Sequence, residues 1–189
     1  MSDEIYSELT YSGKHVSIAT LPGMRERTIL INGFSKAFAM TGWRIGFVCA
    51  NKSLTEAMLK IHQYTTICAP IFSQYASLKA LQSGRESNFE TIREMCAEYD
   101  KRRRLMCDAF SKMGLECFEP KGAFYIFPSV KATGLTGEEF ATQLLEKKKV
   151  AVVPGNAFGE FGKYYVRCSY AYGIKDLITA TERIAEFVN

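Results

Sequence analysis

One lysine, Lys36, stands where a side chain could bond covalently to a ligand. It lies in the segment NGFSKAFAMTGWRIGF, residues 32–47, just after a β-branched run at 28–34 that predicts a strand. Ligands gather at strand ends in α/β sheets, and a lysine there can attack a carbonyl carbon. The alternative interpretation is a solvated lysine in a surface loop, because most lysines are exposed.

Arg44 adds a guanidinium eight positions after Lys36, within the run TGWRIG. The planar fork of an arginine matches two oxygens of a phosphate. The neighbouring glycines, Gly42 and Gly46, could let the backbone come close to such a ligand. The alternative for Arg44 is an ion pair on the surface.

Three further residues carry weaker signals. Asp3 and Tyr6 stand three positions apart in the strand-like segment SDEIYSELTY. Arg167 interrupts the apolar, strand-like segment YYVRCSYA, where a charged residue is unusual. Arg167 is therefore either a residue of an edge strand or an inward-pointing ligand for a carboxylate.

The elements that must position these residues alternate between strands and helices, which indicates an α/β fold. Runs at 28–34 and 44–50 predict strands that are largely buried. A helix with Leu54, Ala57, Met58 and Ile61 on one face should follow, then a second helix up to Gly84, and a third from about Ser87 to Met113. Three Ser/Thr-x-x-Glu boxes predict helix starts, at Ser53/Glu56, Ser87/Glu90 and Thr136/Glu139.

The pattern changes after Gly114, which is a natural helix stop. The segments LECFEP, AFYIFPSV, VAVVPG and YYVRCSYA predict strands, and TGEEFATQLLEKKK and KDLITATERIAEFV predict helices. These elements form an α+β lobe that follows the long third helix.

Composition excludes several classes of function. The net charge is +4, and the basic runs KRRRL and EKKKV have acidic neighbours, so solvated faces are favoured over a nucleic-acid surface. The six cysteines form no CxxC pair, so metal-ligand spacing is absent and reduced thiols of a cytoplasmic protein are expected. No apolar run reaches membrane-spanning length.

Taken together, these segments resemble one family. SKAFAMTGWRIGF resembles the cofactor-lysine segment of fold-type I pyridoxal-phosphate-dependent aminotransferases of class I/II. Within them it is similar to aspartate-aminotransferase-like bacterial enzymes, including the N-acetyl-diaminopimelate type. SDEIYSELTY, KGAFYIFP, VAVVPGNAFG and VRCSYA resemble further segments of the same enzymes, in the same order along the chain.

The resemblance implies a role for each candidate. Lys36 would form the Schiff base with pyridoxal 5'-phosphate and then act as the general base. Asp3 would face the pyridine nitrogen, and Tyr6 would hydrogen-bond the 3'-oxygen. Arg44 would hold the phosphate, and Ser35 would add a hydroxyl contact.

The resemblance also implies the reaction. The enzyme would transfer an amino group from an amino acid to a 2-oxo acid, with dicarboxylates such as glutamate as expected donors. Arg167 would bind the α-carboxylate of the substrate as a bidentate pair. Family members are dimers whose sites borrow residues across the interface, so the resemblance implies a homodimer.

The resemblance covers only the C-terminal half of such an enzyme. Residues 1–90 would be the C-terminal portion of the large cofactor-binding domain, and residues 91–189 the long connecting helix and the small domain. Gly33 stands where many relatives have a serine or threonine that donates to the phosphate. Two alternatives stay open: a folded, non-catalytic C-terminal module that lacks the other half of the site, and a pyridoxal-phosphate-dependent carbon–sulfur lyase.

Overall fold

The computed structural model describes residues 1–188 and folds them into two compact units. The first unit runs from Met1 to Cys96, and the second begins at Ala97. Each unit has its own three-stranded sheet and its own helices. Among residues 1–188, no helix is both long and apolar enough to cross a membrane. The mixture of sheets and helices confirms the predicted α/β character.

The sheet of the first unit has the strand order β1–β2–β3. β1 (Ser2–Asp3) pairs in parallel with β2 (Leu30–Gly33), and β3 (Gly46–Cys49) runs antiparallel to β2. β1 is much shorter than the segment SDEIYSELTY suggested, because the chain turns at residues 5–8. β2 is therefore the central strand, and β1 and β3 are the edges of the sheet over residues 1–188.

The prediction of a buried strand was wrong for β3, whose four residues are all exposed. An apolar run identifies a strand, but its burial depends on what packs against each face and edge. β3 has a strand neighbour on one side only, so its apolar side chains remain open to solvent. β2 has neighbours on both sides, and its residues are half-buried or buried.

Gly33 and Gly46 face each other where β2 and β3 pair. A Cβ on Gly46 would lie 2.9 Å from the Asn32 carbonyl oxygen, and one on Gly33 would lie 3.0 Å from the Gly46 Cα. Neither position has room for a side chain, because both obstacles are backbone atoms. Gly46 therefore serves the contact between strands, not the approach to a ligand that its position beside Arg44 suggested.

Two helices follow β3 in the first unit, α1 (Lys52–Thr65) and α2 (Ile71–Glu86). The predicted box at Ser53 was wrong: Asn51 caps α1, and its Oδ1 accepts a hydrogen bond from the Leu54 amide at 3.1 Å. Ser53 lies inside the first turn and donates to the same oxygen at 2.9 Å. An Asx cap and a serine cap compete for the same amides, and the asparagine at position 51 wins.

The predicted box at Ser87 was also wrong. Ser87 ends α2, and its hydroxyl donates to the Ser83 carbonyl at 3.0 Å instead of capping the next helix. The long helix α3 (Glu90–Lys112) begins three residues later. A serine beside a helix terminus can bond to the preceding turn as readily as to the following one, and the local motif does not distinguish them.

α1 and α2 expose an unusual amount of apolar surface. α1 has no buried residue among the described residues, and only two serines of α2 are buried. Tyr64 is 94% exposed and Tyr75 is 68% exposed. Single exposed apolar residues are ordinary, but a contiguous apolar patch marks an interaction surface. The exposed apolar side chains of α1 and α2, called here the helical apolar surface, include Leu59, Ile61, Tyr64, Ile71, Phe72 and Tyr75.

The sheet of the second unit has the order β4–β6–β5, antiparallel throughout. Its strands are β4 (Tyr125–Ile126), β5 (Val153–Pro154) and β6 (Val166–Ser169). The helices α4 (Gly137–Lys148) and α5 (Ile174–Val188) accompany it. The strand predicted for LECFEP was wrong: residues 115–120 form no strand, although the Ser129 amide donates to the Glu116 carbonyl at 2.7 Å.

The second unit has a core of its own. The capping box at Thr136 and Glu139 is confirmed: the Glu139 amide donates to the Thr136 hydroxyl, and the Thr136 amide donates to the Glu139 carboxylate. This box fixes the start of α4, whose apolar face is then buried. The buried side chains of the unit include Met106, Phe110, Ile126, Phe140, Leu144, Val166, Tyr170, Leu177 and Ile184.

The basic run KRRRL is only partly a solvated face. Arg104 is exposed as predicted, but Arg103 is buried and lies 2.6 Å from Asp100 Oδ1, with Glu119 as a second partner. Burial would raise the pKa of the Asp100 carboxyl, but hydrogen bonds from Arg104 and Arg103 outweigh it and hold that pKa below its ordinary value. The prediction was therefore wrong for Arg103, which is a paired charge inside the unit.

We expect Gly46→Ala to lower the free energy of unfolding of the first unit by about 1–3 kcal/mol, because its methyl group would collide with the Asn32 carbonyl. Gly42→Ala is the matched control, since a Cβ on Gly42 meets no atom within 4 Å. Denaturant unfolding of both variants measures the difference. Equal destabilisation by the two substitutions would contradict the packing argument.

Candidate functional site

Lys36 lies in the turn that follows β2, at residues 35–38. Two backbone hydrogen bonds shape this turn: the Phe38 amide donates to the Phe34 carbonyl, and the Ala39 amide donates to the Lys36 carbonyl, both at 3.3 Å. Lys36 is half-buried between the buried residues Phe34 and Ala37. A lysine in such a place is held more firmly than one in an open surface loop.

Tyr6 lies beside Lys36. The Lys36 Nζ is 5.6 Å from the centroid of the Tyr6 ring. Tyr6 belongs to the turn after β1, where the Leu9 amide donates to the Tyr6 carbonyl at 2.9 Å. An amine and a phenol from two separate turns therefore meet at one place.

Asp3 is the last residue of β1 and pairs with Ile31 of the central strand. Its carboxylate is exposed, and its Oδ1 accepts a hydrogen bond from the Ile5 amide at 3.1 Å. Because β1 and β2 are parallel, their carboxyl ends lie at the same edge of the sheet. Asp3 ends β1, and Lys36 lies three residues after the end of β2, so the sheet directs both residues to one edge.

Asn32 connects the end of β2 to the turn after β1 that contains Tyr6. The sequence did not identify it as a site residue. Its Oδ1 accepts a hydrogen bond from the Gly33 amide at 2.7 Å, and its Nδ2 donates to the Ser7 hydroxyl at 3.3 Å. Ser7 adjoins Tyr6, so this side chain links the end of β2 to the tyrosine's turn. The only signal in the sequence was a polar residue at the end of an apolar strand.

Arg44 stands at the end of a short 3-10 helix, Thr41–Trp43, with left-handed backbone angles of φ 51° and ψ 53°. Its exposed guanidinium donates to the Thr41 carbonyl at 2.8 Å and forms no ion pair with any residue from 1 to 188. Ala39 also has a positive φ, 52°. Left-handed angles are costly for non-glycine residues and concentrate at functional sites. Ser35 lies half-buried in the turn before this segment.

α2 holds the segment that presents Arg44. The buried Ser73 hydroxyl donates to the Trp43 carbonyl at 2.8 Å, directly before Arg44. The rings of Trp43 and Phe72 pack with their centroids 6.4 Å apart. Ser77, one helical turn further along α2, is also buried, but its hydroxyl has no hydrogen-bond partner among the described residues. No motif in the sequence identified Ser73 as an anchor.

Arg167 lies in the second unit, on β6. β6 is the central strand of its sheet, so the edge-strand interpretation was wrong. Its guanidinium carbon lies 4.5 Å from the ring centroids of both Tyr125 and Phe158, and it has no ion pair with the described residues. Phe127 supports Phe158 through an edge contact at 6.0 Å. Two aromatic faces thus orient a cation whose hydrogen-bonding edge can receive an anion.

The second unit also contains a cavity of about 570 Å³ that includes none of the predicted site residues. Arg103, Cys107, Cys117 and Glu119 are among the residues that line it. Burial raises the pKa of the Cys117 thiol to about 11, so the thiol stays protonated near neutral pH and is a poor nucleophile. None of the six cysteines forms a disulfide, and residues 1–188 contain no cluster of three or more metal-ligating side chains.

Comparison with known proteins identifies the family. The profile of "Aminotransferase class I and II" matches residues 1–184. An aspartate aminotransferase of Pyrococcus abyssi is 51% identical over 185 residues, which are 97% of this chain and 47% of that protein. An aromatic-amino-acid aminotransferase of Thermococcus litoralis is 48% identical over 185 residues, again 97% of this chain and 47% of that protein.

A solved structure shows the same fold. The aromatic aminotransferase from Pyrococcus horikoshii superimposes with a TM-score of 0.93 and 48% sequence identity, over 98% of this chain and 49% of that chain. The chain therefore belongs to the aminotransferase class I and II family, which confirms the family resemblance. It spans about half the length of the curated relatives it matches.

We expect Ser73→Ala to lower the free energy of unfolding by about 1–3 kcal/mol, because the Trp43 carbonyl would lose its buried partner. Ser77→Ala is the matched control on the same helix, and it should be neutral or stabilising, because it removes a buried hydroxyl without a partner. Thermal and denaturant unfolding measure both effects. If Ser77→Ala lowers the free energy of unfolding more than Ser73→Ala does, the hydrogen bond from Ser73 to the Trp43 carbonyl is not the stabilising interaction.

Proposed function

We propose that this chain forms part of a pyridoxal-phosphate-dependent aminotransferase and that Lys36 is its catalytic lysine. The observation that carries the proposal is the meeting of Lys36 and Tyr6, with 5.6 Å between the amine and the ring centroid, at the sheet edge where Asp3 ends β1. Family membership supports it, because the activity would then follow the relatives. The whole protein would transfer an amino group from an amino acid to a 2-oxo acid.

The side chains of the first unit fit the cofactor chemically. Pyridoxal 5'-phosphate offers an aldehyde, a ring nitrogen, a phenolic oxygen and a phosphate. Lys36, Asp3, Tyr6 and Arg44 offer an amine, a carboxylate, a phenol and a guanidinium, one for each of these groups. When bound, the cofactor supplies an electron sink for negative charge at the substrate Cα. Ser35 adds a hydroxyl beside the lysine.

Each residue then has a distinct task. Lys36 would anchor the cofactor through Nζ; once the substrate amine displaces it, the freed Nζ would take up the substrate Cα proton. Asp3 favours the protonated form of the ring nitrogen through its negative charge. Tyr6 donates a hydrogen bond to the phenolic oxygen. Arg44, which has no carboxylate partner among residues 1–188, neutralises the phosphate charge.

Arg167 is proposed to bind the α-carboxylate that amino acids and 2-oxo acids share. The rings of Tyr125 and Phe158 fix the plane of its guanidinium, which preorganises a two-pronged contact with a carboxylate. Such a contact does not depend on the substrate side chain. Dicarboxylate donors such as glutamate remain our proposal for the preferred substrate.

We expect incubation with pyridoxal phosphate followed by borohydride reduction to attach the cofactor covalently to Lys36. Lys36→Ala should lose this modification, because Lys36 supplies the amine beside the Tyr6 ring. Lys52→Ala is the control, since that side chain is 90% exposed and pairs with Glu56. Mass spectrometry of proteolytic peptides locates the label. Equal labelling of the wild type and Lys36→Ala would refute the assignment.

A second candidate, a folded module without activity of its own, is favoured by one observation, the helical apolar surface. We propose that a second polypeptide covers this surface. That polypeptide would be either a second copy of this chain or a chain that carries the other half of the fold. The second unit, with its own buried core, would fold without such a partner.

We expect light scattering after size exclusion to give a molar mass above that of one chain. Phe72→Asp combined with Tyr75→Asp should shift the protein towards the monomer, because charges would enter the covered surface. Phe161→Asp is the control, as Phe161 is fully exposed in the second unit. A clean monomer that binds little hydrophobic dye would contradict the proposal.

A further inference from the structure

Glu4 is a buried carboxylate located between Asp3 and Tyr6, two of the proposed cofactor ligands. Its side chain is only 5% exposed. It accepts hydrogen bonds from the Ser17 hydroxyl at 2.8 Å and from the Ser2 hydroxyl at 3.1 Å, and it lies 2.9 Å from His15 Nε2. A carboxylate so far from water is expensive unless it is paired and hydrogen-bonded. This is the only buried glutamate among residues 1–188.

The surroundings of Glu4 favour its ionised form. Burial would raise the pKa of the carboxyl, but the hydrogen bonds from His15, Ser17 and Ser2 together outweigh burial and hold that pKa below its ordinary value. An ionised carboxylate can only accept hydrogen bonds, so His15 must carry a hydrogen on Nε2. The carboxylate thus accepts hydrogen bonds from Ser2, which precedes it in the chain, and from His15 and Ser17, which follow it.

The backbone of Glu4 is held as firmly as its side chain. Its amide donates to the Ile31 carbonyl at 2.8 Å, which extends the pairing of β1 with β2 by one residue. Its carbonyl accepts a hydrogen bond from the Ser7 amide at 2.9 Å, which starts the turn that contains Tyr6. Glu4 therefore fixes the end of the strand and the start of the turn together.

The direction of the neighbouring side chains follows from this arrangement. Successive side chains of an extended segment point to opposite faces, so anchoring Glu4 on one face presents Asp3 on the other. The Asp3 carboxylate is indeed exposed while the Glu4 carboxylate is buried. Ser17 itself is held in place, because its hydroxyl also accepts a hydrogen bond from the Ala19 amide at 3.3 Å. The loop that carries His15 and Ser17 therefore serves as a fixed support.

We propose that Glu4 is a positioning residue that orients Asp3 and Tyr6 towards the cofactor by tying the turn after β1 to the loop of His15 and Ser17. The proposal rests on the proposed function, since it assigns the two oriented side chains to the cofactor. Glu4 itself is buried on the face opposite to Asp3 and does not need to contact the cofactor. Its effect is transmitted through the backbone on each side of it.

The test compares Glu4→Gln with Glu8→Gln, which alters an exposed carboxylate of the same turn. The amide group of a glutamine would bring donors towards His15 and the two serines, which are donors themselves. Ser17→Ala is the milder variant, because it removes one donor and leaves the carboxylate. If Glu4→Gln does not fold, the Ser17→Ala variant tests the positioning role of Glu4 in its place.

The first measurement needs no cofactor. Hydrogen exchange of the Ser7 and Leu9 amides reports whether the turn of Tyr6 is held. Glu4→Gln should speed this exchange roughly tenfold or more, the factor expected from losing a hydrogen bond to a charged group. Ser17→Ala should give a smaller increase, and Glu8→Gln none. Unchanged exchange in Glu4→Gln and Ser17→Ala would overturn the proposal.

The second measurement uses the protein loaded with pyridoxal phosphate. Glu4→Gln should keep the covalent label on Lys36, weaken cofactor binding roughly tenfold and shift the pH midpoint of the cofactor's absorbance, because Asp3 and Tyr6 set that midpoint. A wild-type affinity and midpoint in Glu4→Gln would overturn the proposal. If the wild type itself is not labelled at Lys36, the proposed function fails, and the exchange measurement alone decides whether Glu4 positions the turn.

Discussion

The site depends on the parallel pairing of β1 with β2. This short ladder, continued by the hydrogen bond from the Glu4 amide to Ile31, brings two distant pieces of chain to the same edge of a sheet. Asp3 and Tyr6 arrive from one strand and Lys36 from the other. A shift of one residue in the register would turn Asp3 to the opposite face, because side chains alternate along a strand. The meeting of the Lys36 amine with the Tyr6 ring is the direct result of this register.

Polar anchors stabilise the turns around that edge. Asn32 links the end of β2 to Ser7, Ser73 holds the Trp43 carbonyl before Arg44, and the Gly33–Gly46 contact sets how closely β3 approaches. The two left-handed residues of the segment, Ala39 and Arg44, are costly conformations that such anchors can maintain. The anchors and the proposed ligands thus form one connected arrangement in the first unit.

The first unit contains the candidate site, at the carboxyl ends of β1 and β2, and also apolar surface that is open to solvent. β3 is exposed at every position, and α1 buries none of its described residues, while the second unit buries a full set of aromatic and aliphatic side chains. The relatives that match the chain are about twice its length. Exposed apolar area of this kind marks a surface for contacts with further protein.

The sequence by itself determined the family, the α/β character and the identity of the candidate residues. The run around Lys36 and the segments ahead of and behind it are long and specific enough for that, and the Thr136 capping box was readable because both of its bonds are local. Which side chains are buried was decided only by the tertiary structure. The exposed β3 and the buried Arg103 both contradicted local patterns, because burial depends on neighbours from elsewhere in the chain. The asparagine cap of α1 is a local contact, but two neighbouring residues could have supplied it, and the pattern alone did not choose between them. The three hydrogen bonds to Glu4 follow the same rule: His15 and Ser17 become its partners only when the loop folds back onto the end of β1.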